Sequence, residues 1–199
     1  MSVGELLGWI GALLYVARLV PQPWHTRRSG LDAGVSTQAL CNNLASDVGW
    51  VTYGLLAGLP PIWIGTSVAV VLDLATIALV RHRLRAREVA VGAAWLATLV
   101  GAWFVGGPVA MGLALGASVA VSHAPQVAAA VRGADLSGLH PATWWLALAD
   151  AALWGGYGLA DGDAGLVAYG LVLSAVGAVV LVRIAQTRGL GPPTLSPAG

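Results

Sequence analysis

Three aspartates, Asp47, Asp73 and Asp150, stand in stretches that are otherwise almost free of charge. A carboxylate in such surroundings is costly enough to count, by default, as a functional group. The chain has no lysine and its arginines gather at segment ends, so a cation partner near mid-segment is not expected. Two chemistries fit: a carboxyl group that carries a proton along with a solute, or a neutral acid hydrogen-bonded to Ser, Thr or Trp neighbours. Asp47 belongs to a stripe, with Asn43, Asp47, Trp50 and Gly54 at three- and four-residue spacing and Asn42, Ser46 and Tyr53 beside it. That spacing puts one polar face on a helix, and a polar face between apolar neighbours belongs in a cavity. Asp150, Trp154 and Tyr157 echo it more sparsely. An indole suits such a site, since its flat face packs on the C–H surface of a small solute while its N–H donates one hydrogen bond. Trp9, Trp24, Trp63, Trp144 and Trp145 are instead expected at a membrane interface.

Asp73 shares a face with Trp63, Thr66 and Val70, and the related positions near the carboxyl end are Val167, Gly170, Ser174 and Gly177. His123 is solitary, and the single Cys41 has no partner for a disulfide or a metal. No nucleophile or metal spacing is recognisable, such as two histidines at i and i+4. Neither enzymatic chemistry nor a cofactor is expected.

The elements that must hold these residues follow from composition. With 57% apolar and 10% charged residues and a mean hydropathy of +0.78, the chain cannot present a water-soluble surface. Its 199 residues are used up by apolar segments of about 20 residues, the length that crosses a hydrocarbon core. Seven are expected: Val3 to Val20, Ser36 to Ala57, Pro60 to Val80, Val89 to Val105, Val109 to Ala130, Leu139 to Ala160 and Gly165 to Val182. All ten basic residues are arginine and fall on one side, whereas Glu5, Asp161 and Asp163 lie on the other. The positive-inside bias then puts the amino terminus outside and the carboxyl terminus in the cytoplasm, with the first segment retained rather than cleaved. A net charge of +1 gives no reason to expect nucleic acid; the partners are the lipid bilayer and a small-molecule solute. Composition also suggests a bacterial plasma membrane. One chain holds a complete pathway, so a homo-oligomer is compatible but not required.

An internal duplication organises the segments. At an offset of 104 residues, 21–58 and 125–162 share eleven identities, among them Pro21/Pro125, Gln22/Gln126, Gly34/Gly138, Trp50/Trp154, Tyr53/Tyr157 and Gly54/Gly158. A composition this biased gives about four by chance. Segments one to three thus match five to seven and the fourth is a linker. The expected divisions are 1–83 and 107–188 for two three-helix units, 84–106 for the linker helix, and 189–199 for a disordered tail. One odd helix between the units makes the repeat parallel, with substrate sites between the halves.

The two Pro-Gln pairs at matching helix ends, with the two Trp-x-x-Tyr-Gly signatures, resemble the PQ-loop superfamily, which includes the SWEET sugar transporters, their half-sized bacterial relatives and cystinosin. The resemblance implies alternating access around a central cavity. It implies hinges at Pro21, Gln22, Pro125 and Gln126, which agrees with what proline does to a helix. It implies an outer gate at Tyr53 and Tyr157, and substrate contacts from Trp50 and Trp154, joined here by Asn43, Thr66 and Ser174. The asparagine that sugar carriers place in the third helix of each unit is absent here. The expected function is transport of a small polar solute, sugar or amino-acid-like, with Asp47, Asp73 and Asp150 as proton-coupling candidates. The alternative is a non-transporting receptor or scaffold of the same architecture.

Overall fold

The computed structural model describes residues 2–29, 36–132 and 141–189, and these are helical almost throughout. In chain order the α-helices are α1 (Val3–Leu19), α2 (Pro21–Ser29), α3 (Thr37–Ala57), α4 (Pro60–Val80), α5 (Ala86–Val131), α6 (Pro141–Asp161) and α7 (Ala164–Gly189). A short 3₁₀ turn, Arg81–Arg83, links α4 to α5. Local chemistry sets the ends. Ser2 and Glu5 exchange reciprocal side-chain to backbone hydrogen bonds that start α1. Ser36 caps α3, and α4 opens on Pro60, whose missing N–H costs nothing at that position.

Among the described residues there are six long helices instead of the seven expected, because the fourth and fifth segments are joined within α5. Gly106 and Gly107 interrupt it, and Gly107 combines φ 63° with ψ −153°, a conformation open essentially to glycine alone. The two limbs fold back on each other there, since Leu99 from one and Leu115 from the other both meet Gly49 of α3. α2 is a second departure. It begins at Pro21 after a one-residue interruption of α1, whereas α5 keeps helical geometry through Pro125. The side chains of Gln22, Pro125 and Gln126, and the residues Gly34, Gly138 and 190–199, lie outside the described set.

Four helical stretches are long and apolar enough to cross a membrane: Val3–Arg28, Pro60–Arg83, Ala86–His123 and Ala164–Gln186. The two 21-residue helices outside that group, α3 and α6, carry Asp47 and Asp150. Polarity that lowers their hydropathy is the polarity that faces inward.

α4 packs between α1 and α3, and α7 between α5 and α6. The units meet where α1 touches α6 and α3 touches α5. Contacts recur at the same offset of 104. α3 and α6 both end on left-handed glycines, Gly58 at φ 69° and Gly162 at φ 74°. A Cβ at Gly54 would stand 2.8 Å from the backbone nitrogen of Trp63, and one at Gly158 would stand 2.8 Å from that of Val167. Those four residues form two repeat-related pairs, so the hairpins α3–α4 and α6–α7 close in the same way.

Candidate functional site

The tightest inter-unit packing is at the end where the hairpins turn. Tyr157 of α6 lies against Gly8 of α1, its ring 2.9 Å from where a Cβ would be. Tyr53 of α3 lies against Gly112 of α5 at 2.8 Å. These pairs too are 104 residues apart. Each tyrosine fills the hollow that a glycine leaves in the opposite unit, and both rings are buried. The Tyr53 hydroxyl donates a short hydrogen bond to Oδ2 of Asp163, whose Oδ1 accepts the Leu166 N–H at the start of α7. The position related to Asp163 in the first unit is Leu59, which has no side-chain acceptor. One latch therefore joins the units at this end, and an apolar cluster including Trp50, Leu115, Trp154 and Leu166 lies against it.

Beneath the tyrosines is a cavity of about 140 Å³, to which every long helix contributes. Its polar wall is Tyr15 and Arg18 of α1, Asn43, Ser46 and Asp47 of α3, Thr66 of α4, Ser118, Ser122 and His123 of α5, and Tyr169 of α7. Trp50, Ile62, Val119, Trp154 and Leu166 supply the rest. Asn43 and Ser122 are exposed. Several hydroxyls are committed to their own helices: Thr66 donates to the Ile62 carbonyl at 2.6 Å and Ser118 to that of Leu115 at 2.6 Å. His123 Nδ1 is 2.9 Å from the Val119 carbonyl oxygen. Trp95 of the first α5 limb donates its indole N–H to Ser46 at 3.0 Å, tying that limb to the cavity wall.

The carboxylates are held by tyrosines. Tyr15 donates to Oδ1 of Asp47 at 2.7 Å and Tyr169 to Oδ2 of Asp150 at 2.6 Å. A guanidinium nitrogen of Arg18 stands 3.8 Å from that same Asp150 oxygen, and the guanidinium lies over the Tyr15 ring, 5.3 Å from its centre. Oδ1 of Asp150, a residue only 1% exposed, has no hydrogen-bond partner among the described residues. The ring of Tyr169 meets that of Trp50 edge-on at 5.9 Å.

Of the expected solute contacts, Trp50, Trp154, Asn43 and Thr66 line the cavity and Ser174 does not. Of the expected coupling residues, Asp47 lines it and Asp150 is bonded to residues that do. Asp73 is buried on α4 and is not among the residues that line the cavity, with Oδ2 unpartnered among the described residues. The expectation that no cation would meet these aspartates is corrected, because Arg18 reaches Asp150. Its position explains the miss. Arg18 is the basic residue of the last α1 turn, where sequence suggests a membrane anchor, but a long side chain on the inner face can turn into the cavity. Tyr15 was detectable, lying one turn before Arg18 on the same face. Tyr169 had no such signal, in a stretch of α7 that is small and aliphatic around it as far as Val182.

Among the described residues no group of His, Cys, Asp or Glu is placed to hold a metal ion. No curated protein matches the chain. Residues 3–63, the stretch from α1 into α4 that contains Tyr15, Arg18, Asp47, Trp50 and Tyr53, match the family model of the PQ loop repeat. The first three helices around the cavity thus carry a PQ loop repeat, in a chain with several helices long and apolar enough to cross a bilayer.

Proposed function

We propose that the chain is a carrier that moves one small polar solute across a membrane by alternating access between its two three-helix units. The observation that carries this is a cavity between the units that is sealed by Tyr53 and Tyr157 at one end and reaches exposed Asn43 and Ser122 away from it. A static scaffold has no need of a dry aromatic seal at one end and a polar wall below it. On this reading seven segments cross the bilayer, the two limbs of α5 counting separately, and the amino terminus is outside. The sealed end then faces outward, and the structure corresponds to the inward-open half of the cycle. Pro21, at the junction of α1 and α2, is the hinge candidate on this reading, because it removes a backbone donor there.

Among the coupling candidates Asp47 ranks first, ahead of Asp150 and Asp73, because its carboxylate meets the cavity directly. Uptake of labelled sugars and amino acids into proteoliposomes, with and without an inward proton gradient, tests the reading. Saturable uptake by wild type is expected, with loss in Trp50→Ala and Trp154→Ala. Tight binding with no uptake of any solute would favour a ligand receptor instead.

A further inference from the structure

Among the described residues Arg18 is the arginine that lines the cavity. Its side chain is 37% exposed and lines the cavity, its guanidinium backed by the Tyr15 ring. A guanidinium carries five N–H donors in a planar fork suited to a carboxylate. The carboxylate beside it, Asp150, is 3.8 Å away, beyond hydrogen-bond distance, and takes its close hydrogen bond from Tyr169. Among the described residues no carboxylate is hydrogen-bonded to Arg18. The fork thus has donors to spare in a cavity whose lining also includes Ile62, Leu166, Trp50 and Trp154. The position 104 residues on is Ser122, so the second unit supplies no matching cation and a bound anion has one place to go.

We propose that Arg18 is the carboxylate anchor of this cavity, so that the solute is a small organic acid. The proposal rests on the carrier reading and narrows it. A bidentate pair with Arg18 fixes the acid group, and the indoles take the apolar part of the solute. Asp47, which also lines the cavity and lies within electrostatic reach of Arg18, decides between two sources of the same chemistry. An amino acid would set its ammonium group on Asp47, whereas a simple monocarboxylate would not. Neutral sugars offer no carboxylate to the fork and so gain nothing from its paired donors.

The purified full chain would be tested for thermal stabilisation, and in proteoliposomes for uptake, with the twenty standard amino acids, acetate, propionate and pyruvate. Glucose and alaninamide serve as controls that lack a carboxylate. At least one acid should bind and move, and neither control should. Arg18→Gln should weaken acid binding by about tenfold or more, the scale of a lost charge-assisted hydrogen-bond pair. Arg18→Lys, which keeps the charge but not the fork, should fall between. Since Arg18→Gln alone leaves Asp150 without its cation and threatens folding, the double variant Arg18→Gln/Asp150→Asn removes both charges. Acid binding restored in the double variant would reduce Arg18 to a structural ion-pair partner and overturn the proposal. So would glucose uptake equal in wild type and Arg18→Gln, an outcome that leaves the carrier reading standing, or binding of no acid at all. Arg18-dependent binding of an acid without uptake would uphold the anchor and remove the carrier.

Discussion

The two three-helix units agree at the end where their hairpins turn and disagree around the cavity. At the hairpin end Gly8 and Tyr157 answer Gly112 and Tyr53, and Gly54 and Trp63 answer Gly158 and Val167. Around the cavity the counterparts of Tyr15, Arg18 and Asp47 are Val119, Ser122 and Ala151, and the counterpart of Asp150 is Ser46. Close packing tolerates little change, because an added methyl must displace backbone or ring atoms. A cavity wall faces no such constraint, so the two halves could diverge there. Shared residues mark how the bundle closes, and unshared residues mark what it handles.

That contrast can be broken or sharpened. The largest effect should come from the unshared set. Asp47→Ala should reduce solute uptake by roughly tenfold to a hundredfold, the range for losing a hydrogen bond to a charged group. Ala151→Ser, at the repeat-related position, should leave uptake within about twofold as measured by initial rates. Next come the shared glycines. Gly54→Ala and Gly158→Ala should each lower stability by about 1–3 kcal/mol in detergent melts, since both force a backbone apart. A large difference between the two would mean that the hairpins do not close alike.

A smaller effect separates the paired tyrosines. Tyr53→Phe removes the bond to Asp163 and should cost about 1 kcal/mol, with the hairpin end opening more readily to water-soluble thiol reagents at a cysteine placed there. Leu59, the repeat counterpart of Asp163, offers Tyr157 no acceptor, so Tyr157→Phe should leave both readouts near wild type. Smallest is Trp95→Phe. It deletes the bond to Ser46 at a cost of about 0.5–1.5 kcal/mol while uptake persists, which would mark the first limb of α5 as a brace.

Much of this was legible in the sequence. The apolar class, the duplication and the polar stripe of α3 all follow from periodicity, which survives any detail of packing. Asp47 and Trp50 were singled out because they share one face of α3, and Trp154 because it matches Trp50 in the repeat. Three things were hidden. The join within α5 rests on the backbone at Gly106 and Gly107, and a Gly-Gly pair before Pro108 does not say by itself whether two helices end there or one bends. Arg18 was assigned to the membrane edge by its position in the last turn of α1, and a count along the helix cannot show that a flexible side chain turns inward. Asp73 looked like a cavity residue because it shares a face with Thr66, but it stands two turns further along α4 and does not line the cavity that Thr66 reaches.

The two-residue turns at Gly58–Leu59 and Gly162–Asp163 bear on how the chain enters a bilayer as it is made. α3 and α6 are too polar to rank with the independently membrane-crossing helices, yet each is followed at once by one that does, with mean hydropathy 2.0 and 2.4 over the best windows. A polar helix leaving the ribosome ahead of such a partner is carried in with it as a hairpin, its carboxylate shielded by the neighbour that arrives moments later. Chain order thereby works as an insertion schedule. A released chain ending at residue 59 should therefore fail to integrate α3, and one extended through α4 to residue 83 should integrate both.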